Sequence, residues 1–283
     1  MIRYISGRLL LMLLSVTGIL AIAALPSLLR ELSFDWRSYG EMFYHLLKTF
    51  IGPEELTYFR EEGPVPLIPV LKGFIAQTTI ILVASIIISA VLAVVIVYIE
   101  LRLTKVRKLI KGIQVALESI PDIFLVVFLQ FVVILLYQRT GFDQIEIAGA
   151  DDRPIWLLPI VSLSVTTTLL FIKWLTLKVD HELKKPYVEL AHAKGLLFPE
   201  IFWRHLLRNV SMSFLYFLKT NIIIIISNLL IVEYLFNVQG VFFFAVTNLY
   251  PEVVAAIMLM LYVPVYLFYL LMDLIVPNEW KGV

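Results

Sequence analysis

The chain alternates between long apolar stretches and short polar segments. Six stretches lie at residues 9–29, 74–99, 115–137, 155–175, 213–236 and 253–276. Each meets the requirement of about 20 mainly apolar residues for a helix that crosses a hydrocarbon core of about 30 Å. Trp156 and Trp174 bracket the fourth stretch, as aromatic residues do at the two interfaces of a membrane. The pattern predicts an all-α, polytopic membrane protein with six transmembrane helices.

The composition agrees with a lipid environment. Hydrophobic residues make up 60% of the chain and charged residues 16%, whereas a soluble domain has about 45–50% and about 25%. A water-soluble core cannot hide so much apolar surface, so the lipid bilayer is the expected solvent. Cysteine is absent, which excludes a disulfide framework, Cys-ligated zinc and a cysteine nucleophile. No basic patch with interleaved aromatics indicates a nucleic acid partner.

The first stretch has an alternative interpretation as a secretory signal peptide. Arg3 and Arg8 precede it, and Ala21-Ile22-Ala23 resembles a cleavage site. However, the apolar run is longer than the usual signal core of about 7–15 residues, and it continues through Leu28 and Leu29. A transmembrane helix is therefore the favoured interpretation.

Basic residues predict the orientation in the membrane. They are concentrated after the second and fourth stretches, at Arg102, Lys105, Arg107, Lys108 and Lys111, and at Lys173, Lys178, Lys184, Lys185, Lys194, Arg204 and Arg208. By the positive-inside rule, both segments and both termini are cytoplasmic, and the protein is a multi-pass protein of the cell (cytoplasmic) membrane.

This orientation divides the chain into four parts. Residues 1–30 form an N-terminal transmembrane helix, 31–73 an extracytoplasmic segment, 74–276 a core of five transmembrane helices, and 277–283 a short cytoplasmic tail. The Pro- and Gly-rich extracytoplasmic segment is expected to contain turns and one short helix near 36–50.

The apolar stretches contain few ionisable residues. Their ionisable residues fall near the predicted helix ends, at Glu118, Asp122, Lys173, Lys219, Glu233 and Asp273. Ion-coupled carriers usually need buried charges at membrane depth, and inverted-repeat carriers need paired broken helices; neither pattern is present. The chain also has no phosphate-binding loop. It is therefore not expected to be an enzyme or to bind a cofactor, and a separate nucleotidase would supply the energy.

A polar segment at 180–209 separates the fourth and fifth stretches. Pro186 suits the first turn of a helix, and Glu189 and Lys194 are placed favourably for the helix dipole. Gly195 fits the left-handed residue that ends a helix. Pro199-Glu200 then starts a second helix, which runs to about residue 209.

The segment is thus predicted to form two short helices bent at Gly195. Ala191 and Ala193 would leave a shallow surface that another protein can approach. The alternative is an amphipathic segment that lies on the membrane with its basic side chains on anionic headgroups.

These residues resemble the EAA loop of binding-protein-dependent ABC transporter permeases, in the peptide/nickel branch. The positions that match in register are Tyr187, Val188, Ala191, Ala193, Lys194, Gly195, Leu196, Arg204, His205, Leu207, Arg208 and Asn209. The start of the chain, Met1-Ile2-Arg3-Tyr4-Ile5, resembles the B-type permease subunit of oligopeptide and dipeptide importers. Three positions depart from the family pattern: Leu190 replaces an alanine, Ser213 a proline, and Val276-Pro277-Asn278 a D-P-R motif.

The resemblance implies the fold of a type I-like ABC importer permease and a set of partners. A second homologous permease subunit would complete the translocation pathway, and two cytosolic ABC ATPase subunits would dock on the EAA loops. An extracytoplasmic solute-binding protein would deliver peptide or a nickel chelate. The residues implied in ATPase coupling are Tyr187, Glu189, Ala191, Ala193, Lys194, Gly195, Leu196, Arg204 and His205.

Individual roles follow from the same resemblance. Glu189 and Lys194 would contact the ATPase, and Arg204 and His205 would connect the second helix to neighbouring loops. Arg204 facing a lipid phosphate and His205 as a capped loop histidine are the alternatives. The spacing of His181, His192 and His205 is not a metal-ligand pattern.

Three residues of the fifth stretch are possible pathway residues. Asn221 and Asn228 are polar at membrane depth, seven positions apart on one face, and both pathway lining and interhelical hydrogen bonding fit them. Glu233 fits either a pathway charge or a helix-end residue at the interface. Two other classes compete with an importer subunit: a membrane scaffold or sensor that recruits a cytosolic partner, and a channel, for which the stretches lack a polar stripe.

Overall fold

The computed structural model describes residues 2–30, 33–52, 56–60, 63–141, 148–149 and 155–275. The part of the chain that it describes is mostly helical. The helices are α1 (Ile2–Ala23), α2 (Trp36–Ile51), α3 (Leu67–Arg102), α4 (Thr104–Glu118), α5 (Asp122–Thr140), α6 (Leu157–Glu182), α7 (Pro186–Ala193), α8 (Phe198–Glu200), α9 (Leu207–Leu235), α10 (Val241–Thr247) and α11 (Pro251–Ile275). A 3-10 helix, Leu25–Leu28, follows α1, and a π-helical segment, Ile201–Leu206, joins α8 to α9.

Among the described residues, five helices are long and apolar enough to cross a membrane. They are Leu67–Arg102, Asp122–Thr140, Leu157–Glu182, Phe198–Leu235 and Pro251–Asp273. The last five predicted transmembrane helices are therefore confirmed as long apolar helices. In α1 the apolar stretch Leu10–Ala23 is shorter than these five, so the count of six remains a prediction.

The third predicted helix, 115–137, begins at the wrong place. Residues 115–118 belong to α4, which ends at Glu118, and α5 begins only at Asp122. Pro121 explains the break, because proline disfavours the helical conformation in the residue before it and lacks the N–H of a helix interior. Residues 115–117 are as apolar as the stretch after the break, so the apolar pattern alone did not reveal where α4 ends and α5 begins.

The chain divides into two compact units, of which the first comprises Met1–Ala76 and Gly240–Leu267. In it, Leu20, Ala23 and Leu46 are buried together where α1 packs on α2. α2 confirms the short helix predicted near 36–50, and the carboxylate of Asp35 caps it by accepting hydrogen bonds from two backbone N–H groups at 3.1 Å.

The first unit also contains two short antiparallel hairpins in the region where turns were predicted. β1 (Leu29–Arg30) pairs with β2 (Ser33–Phe34), and β3 (Thr57–Arg60) pairs with β4 (Gly63–Pro66). The all-α class therefore needs this small correction outside the long helices.

The second unit, Gln77–Gln239 with Phe268–Val283, contains the polar segment 180–209. In this unit α6 is the most buried of the long helices, with 56% of its most apolar part inside the protein. Ser85 and Ser89 of α3 donate hydrogen bonds to α6 carbonyl oxygens at 3.2 Å and 3.0 Å. Small hydroxyl residues allow two helices to approach closely and bond in this way. On another side, Phe171 of α6 packs edge to face with Phe214 of α9.

Candidate functional site

The polar segment 180–209, here called the EAA-like segment, begins with a short helix that has defined ends. α7 covers Pro186–Ala193 and has proline in its first turn. Its end is a Schellman motif, because the N–H of Gly195 donates to the carbonyl of His192 at 2.9 Å and the N–H of Leu196 to that of Ala191 at 3.2 Å. Gly195 has φ of +80°, which confirms the predicted left-handed residue and the bend at this position.

The second helix of the segment differs from the prediction. It does not end near Asn209 but forms the start of one continuous helix, Phe198–Leu235. The chain has no helix-breaking residue in this region, since the family proline is replaced by Ser213, which is buried in α9. The π-helical segment Ile201–Leu206 lies where this helix leaves the EAA-like segment, and π turns occur often at functional sites.

Tyr187 fixes α7 to the helices on either side of it. Its hydroxyl donates a hydrogen bond of 2.9 Å to the carboxylate of Glu182, the last residue of α6, and it also hydrogen-bonds with Asn209 of α9. Burial, together with the neighbouring carboxylate, raises the pKa of Tyr187 to about 12. Glu182 is 2% exposed and also accepts a hydrogen bond of 2.6 Å from Lys185. Tyr187 is thus a connecting residue inside the segment.

The outward side of α7 and the turn that follows it form one exposed surface. Its exposed residues are Glu189, Leu190, His192, Ala193, Lys194, Gly195 and Leu197. Leu190 and Leu197 are 57% and 70% exposed, and Glu189 and Lys194 beside them are exposed as well. We call these seven residues the α7 face.

One predicted surface residue lies on the opposite side. Ala191 is only 4% exposed and packs inward with Val188, which is 2% exposed. The open surface predicted for Ala191 and Ala193 is therefore correct for Ala193 only. The spacing of three residues places Ala191 and Val188 on the same buried side of the helix, which was readable from the sequence. Leu196 is half-buried beside Gly195.

Aromatic packing connects the second part of the segment to α3. Tyr98 lies 5.2 Å from Phe202, 5.8 Å from Trp203 and 6.1 Å from Phe198, measured between ring centroids. The connection to neighbouring elements was predicted for Arg204 and His205. Arg204 is exposed and His205 half-buried, and the described residues include no ion-pair partner for either. The aromatic connection was missed.

A buried carboxylate next to the segment was also missed. Glu100, the third residue from the end of α3, is fully buried. It accepts hydrogen bonds from Arg107 of α4 at 3.3 Å and from the hydroxyl of Thr176 of α6 at 3.2 Å. Arg107 also binds Asp180 at 2.8 Å. The sequence signal was a single acidic residue at the end of an apolar run, followed by a basic segment.

The three possible pathway residues have separate environments. Asn221 donates to the carbonyl of Phe217 in its own helix at 2.9 Å, so the predicted interhelical bond is not seen for it. Asn228 does form one, to the carboxylate of Asp122 at 2.7 Å. Glu233 is fully buried and accepts a hydrogen bond of 2.6 Å from Thr78. That burial places Glu233 between α9 and α3 of the unit and not on an open surface.

Other predicted features lie outside these sites. The Val276-Pro277-Asn278 motif lies outside the described residues. Within the described part of the chain, no group of three or more histidine, aspartate or glutamate side chains is placed to hold a metal ion.

A family model described as binding-protein-dependent transport system inner membrane component matches residues 97–278. The match covers more than half of the chain and includes the whole EAA-like segment, α4 to α11 and the end of α3. No curated protein matches the chain.

Proposed function

The chain belongs to the family of binding-protein-dependent transport system inner membrane components, the permeases of ABC importers, and on that premise we propose that it is the B-type permease subunit of a peptide importer. Permeases of this family work with ATPase and solute-binding components. The finer assignment, to oligopeptides or dipeptides, is supported by the EAA-like segment, whose residues follow the peptide/nickel pattern from Tyr187 to Asn209.

The α7 face is the proposed docking surface for a cytosolic ATPase. Leu190 occupies the position of a family alanine and is 57% exposed, next to exposed Ala193 and Lys194. Burying a leucine side chain stabilises a complex by about 1.5–3 kcal/mol. Leu190 with Glu189 and Lys194 on either side has the composition of a docking patch, with an apolar centre and a charged rim.

Movement of the docked helix would reach the transmembrane helices through fixed contacts. α7 is capped at Gly195, and Tyr187 bonds it to the last residue of α6 and to Asn209 near the start of α9. A force applied to α7 therefore acts on two long helices at once. The Phe198–Leu235 helix has no break between the EAA-like segment and its far end, so displacement would be carried along its length.

The assembly we propose has one pathway between two permease subunits. The second permease is a homologue of this chain, two ATPases dock on the two EAA-like segments, and an extracytoplasmic binding protein delivers the peptide. Both termini lie in the cytoplasm, six helices cross the membrane, and ATP hydrolysis takes place on the separate ATPase subunits.

Co-purification of the tagged chain from its native membrane in mild detergent tests this proposal. We expect the second permease and the ATPases to accompany the wild type. Leu190→Asp and Gly195→Arg each place a charge on the α7 face and are expected to reduce bound ATPase at least about tenfold, because a buried unpaired charge costs more than about 1.4 kcal/mol. The second permease should stay bound to both variants.

A matched control is Leu249→Asp, which changes another exposed leucine, 72% accessible, outside the EAA-like segment. It should leave ATPase binding unchanged. Retention of the ATPases by both α7 variants would refute the docking role. Purification of the chain without a second permease and without ATPases would refute the importer assembly.

A further inference from the structure

A polar cleft lies in the second unit beside the break between α4 and α5. It has a volume of about 230 Å³ and is enclosed by these two helix ends together with α6 and α9. Its polar lining residues are Glu118, Asp122, Thr166, Thr167, Lys173 and Asn228. They come from four helices, and the break at Pro121 is what brings Glu118 and Asp122 to the same cleft.

The cleft extends from the predicted helix ends at Glu118 and Lys173 towards membrane depth. Thr166 and Thr167 are near the middle of α6, Leu157–Glu182, and Asp122 is bonded to Asn228 within the apolar part of α9. Charged side chains at this depth are unfavourable against lipid and almost always face protein or a water-filled cavity. In a permease, the open side of the cleft therefore faces the translocation pathway or the second subunit.

The charges of the cleft do not balance. Glu118 pairs with Lys173 at 3.0 Å and accepts a second hydrogen bond from Gln114 at 2.9 Å. Asp122 accepts a hydrogen bond from the neutral amide of Asn228, and no cationic side chain among the described residues pairs with it. Two carboxylates and one ammonium leave one net negative charge.

Thr167 gives an independent sign that a ligand binds here. It lines the cleft and is 2% exposed, and its hydroxyl has no hydrogen-bond partner among the described residues. Its neighbours differ, since Thr166 and Thr168 each donate to a backbone carbonyl of α6, at 3.1 Å and 2.6 Å. A buried hydroxyl without a partner is costly, and a ligand with an N–H group removes that cost.

We infer that the cleft binds the protonated amine of the transported solute, such as the amino terminus of a peptide. An ammonium group carries three donors and no acceptor. The free oxygen of Asp122, the amide oxygen of Asn228 and the hydroxyl of Thr167 supply three acceptors, and Asp122 supplies the opposite charge. The inference rests on the proposed importer function and names the chemical group that this chain recognises.

The absence of cysteine allows a direct test of the charge. In the complete importer in proteoliposomes, Leu170→Cys places one thiol in the cleft lining. We expect it to react faster with a trimethylammonium methanethiosulfonate than with a sulfonate methanethiosulfonate, by roughly tenfold over the ratio for free cysteine. Asp122→Asn should abolish this preference, and Lys173→Gln should increase it. Opposite effects of two substitutions are not produced by misfolding.

Peptide uptake by the complete importer tests whether the cleft recognises a protonated amine. ATP-dependent accumulation of one peptide is compared with that of the same peptide acetylated at its amino terminus, with the same binding protein throughout. The wild type is expected to favour the free amine, and Asp122→Asn to reduce that ratio about tenfold. Because the binding protein is unchanged, the change in the ratio belongs to this chain.

The possible outcomes separate the inference from the proposed function. If neither peptide accumulates while the complex hydrolyses ATP, the peptide assignment fails, and the thiol ratio still decides the charge of the cleft. A rate ratio of the two reagents equal to that for free cysteine overturns the inference even if peptides are transported. A peptide ratio that Asp122→Asn leaves unchanged overturns the ligand assignment.

Discussion

At the residue scale, Tyr187 shows how a family position can matter through its hydrogen bonds. It is half-buried, and its hydroxyl joins Glu182 at the end of α6 to Asn209 of α9. The carboxylate of Glu182 is 2% exposed, so each donor that it loses leaves part of a buried charge without compensation. The tyrosine therefore holds α7 in place more than it contacts a partner.

We predict that Tyr187→Phe lowers the free energy of unfolding by about 1.5–3 kcal/mol, the range for a hydrogen bond to a charged group. Thermal unfolding of the purified chain in detergent measures it. Tyr137→Phe, which removes the hydroxyl of a tyrosine that is 50% exposed on α5, is the control and should change little. Equal midpoints of thermal unfolding for wild type and Tyr187→Phe would contradict the role of Tyr187 in connecting α6, α7 and α9.

The same hydroxyl has a pH signature. Its pKa is raised from 10 to about 12 in the folded protein, first because of burial. A folded pKa above the unfolded value means that the contribution is fully present below pH 10 and is lost as the pH rises towards 12. The stability difference between wild type and Tyr187→Phe should therefore shrink above pH 10 and stay constant from pH 6 to 9. If the stability difference between wild type and Tyr187→Phe already falls near neutral pH, a group other than this hydroxyl is responsible for the pH dependence.

At the element scale, local rules and distant contacts account for what the sequence predicted and what it missed. The ends of α7 follow from Pro186 and Gly195 alone, because capping depends on a few neighbouring residues. The interhelical bond of Asn228 was one of two open alternatives. Its partner, Asp122, was predicted near a helix end and is the first residue of α5. The break at Pro121 that places it there was not predicted.

Burial could not be predicted in the same way. Glu100 and Glu233 look like other acidic residues near the ends of apolar stretches, yet both are fully buried. Their partners, Thr176 and Thr78, are 76 and 155 positions away in the chain. No local pattern carries such information, because it depends on which helices become neighbours.

We predict that Glu100→Gln loosens α4, because Arg107 then loses its buried carboxylate partner. Arg107 is 34% exposed and keeps Asp180, so the cost should be about 1–3 kcal/mol, below the range for fully buried pairs. Limited proteolysis within α4 and thermal unfolding measure the effect. Lys108→Ala, which removes an exposed charge on the same helix, is the control. Equal proteolysis of Glu100→Gln and wild type would show that the buried carboxylate does not hold α4.

At the scale of the whole molecule, the question is which parts of the chain lie on which side of the membrane. The family establishes an inner membrane component with several spans. The basic residues after α3 and α6 predict the direction. The EAA-like segment can meet a cytosolic ATPase only if this direction is correct, so the orientation and the docking proposal stand or fall together.

Single-cysteine labelling tests the orientation, since the natural chain has no cysteine. Tyr44→Cys in α2 and Lys108→Cys in α4 both replace exposed side chains. In intact spheroplasts, a membrane-impermeant maleimide is expected to label Tyr44→Cys fully. It should label Lys108→Cys only after permeabilisation, at least about tenfold more than before, because the positive-inside rule places α4 in the cytoplasm. The reverse pattern would invert the topology.

Gly7→Cys decides whether α1 is the sixth span. Its position in α1 is exposed, and a side chain there meets no atom within 4 Å. If α1 crosses the membrane, Gly7→Cys and Tyr44→Cys lie on opposite sides, and Gly7→Cys is labelled together with Lys108→Cys. If α1 lies along the outer surface, Gly7→Cys is labelled in intact spheroplasts. That result would leave five spans with an outer amino end, a topology in which α1 does not contribute to the transmembrane bundle.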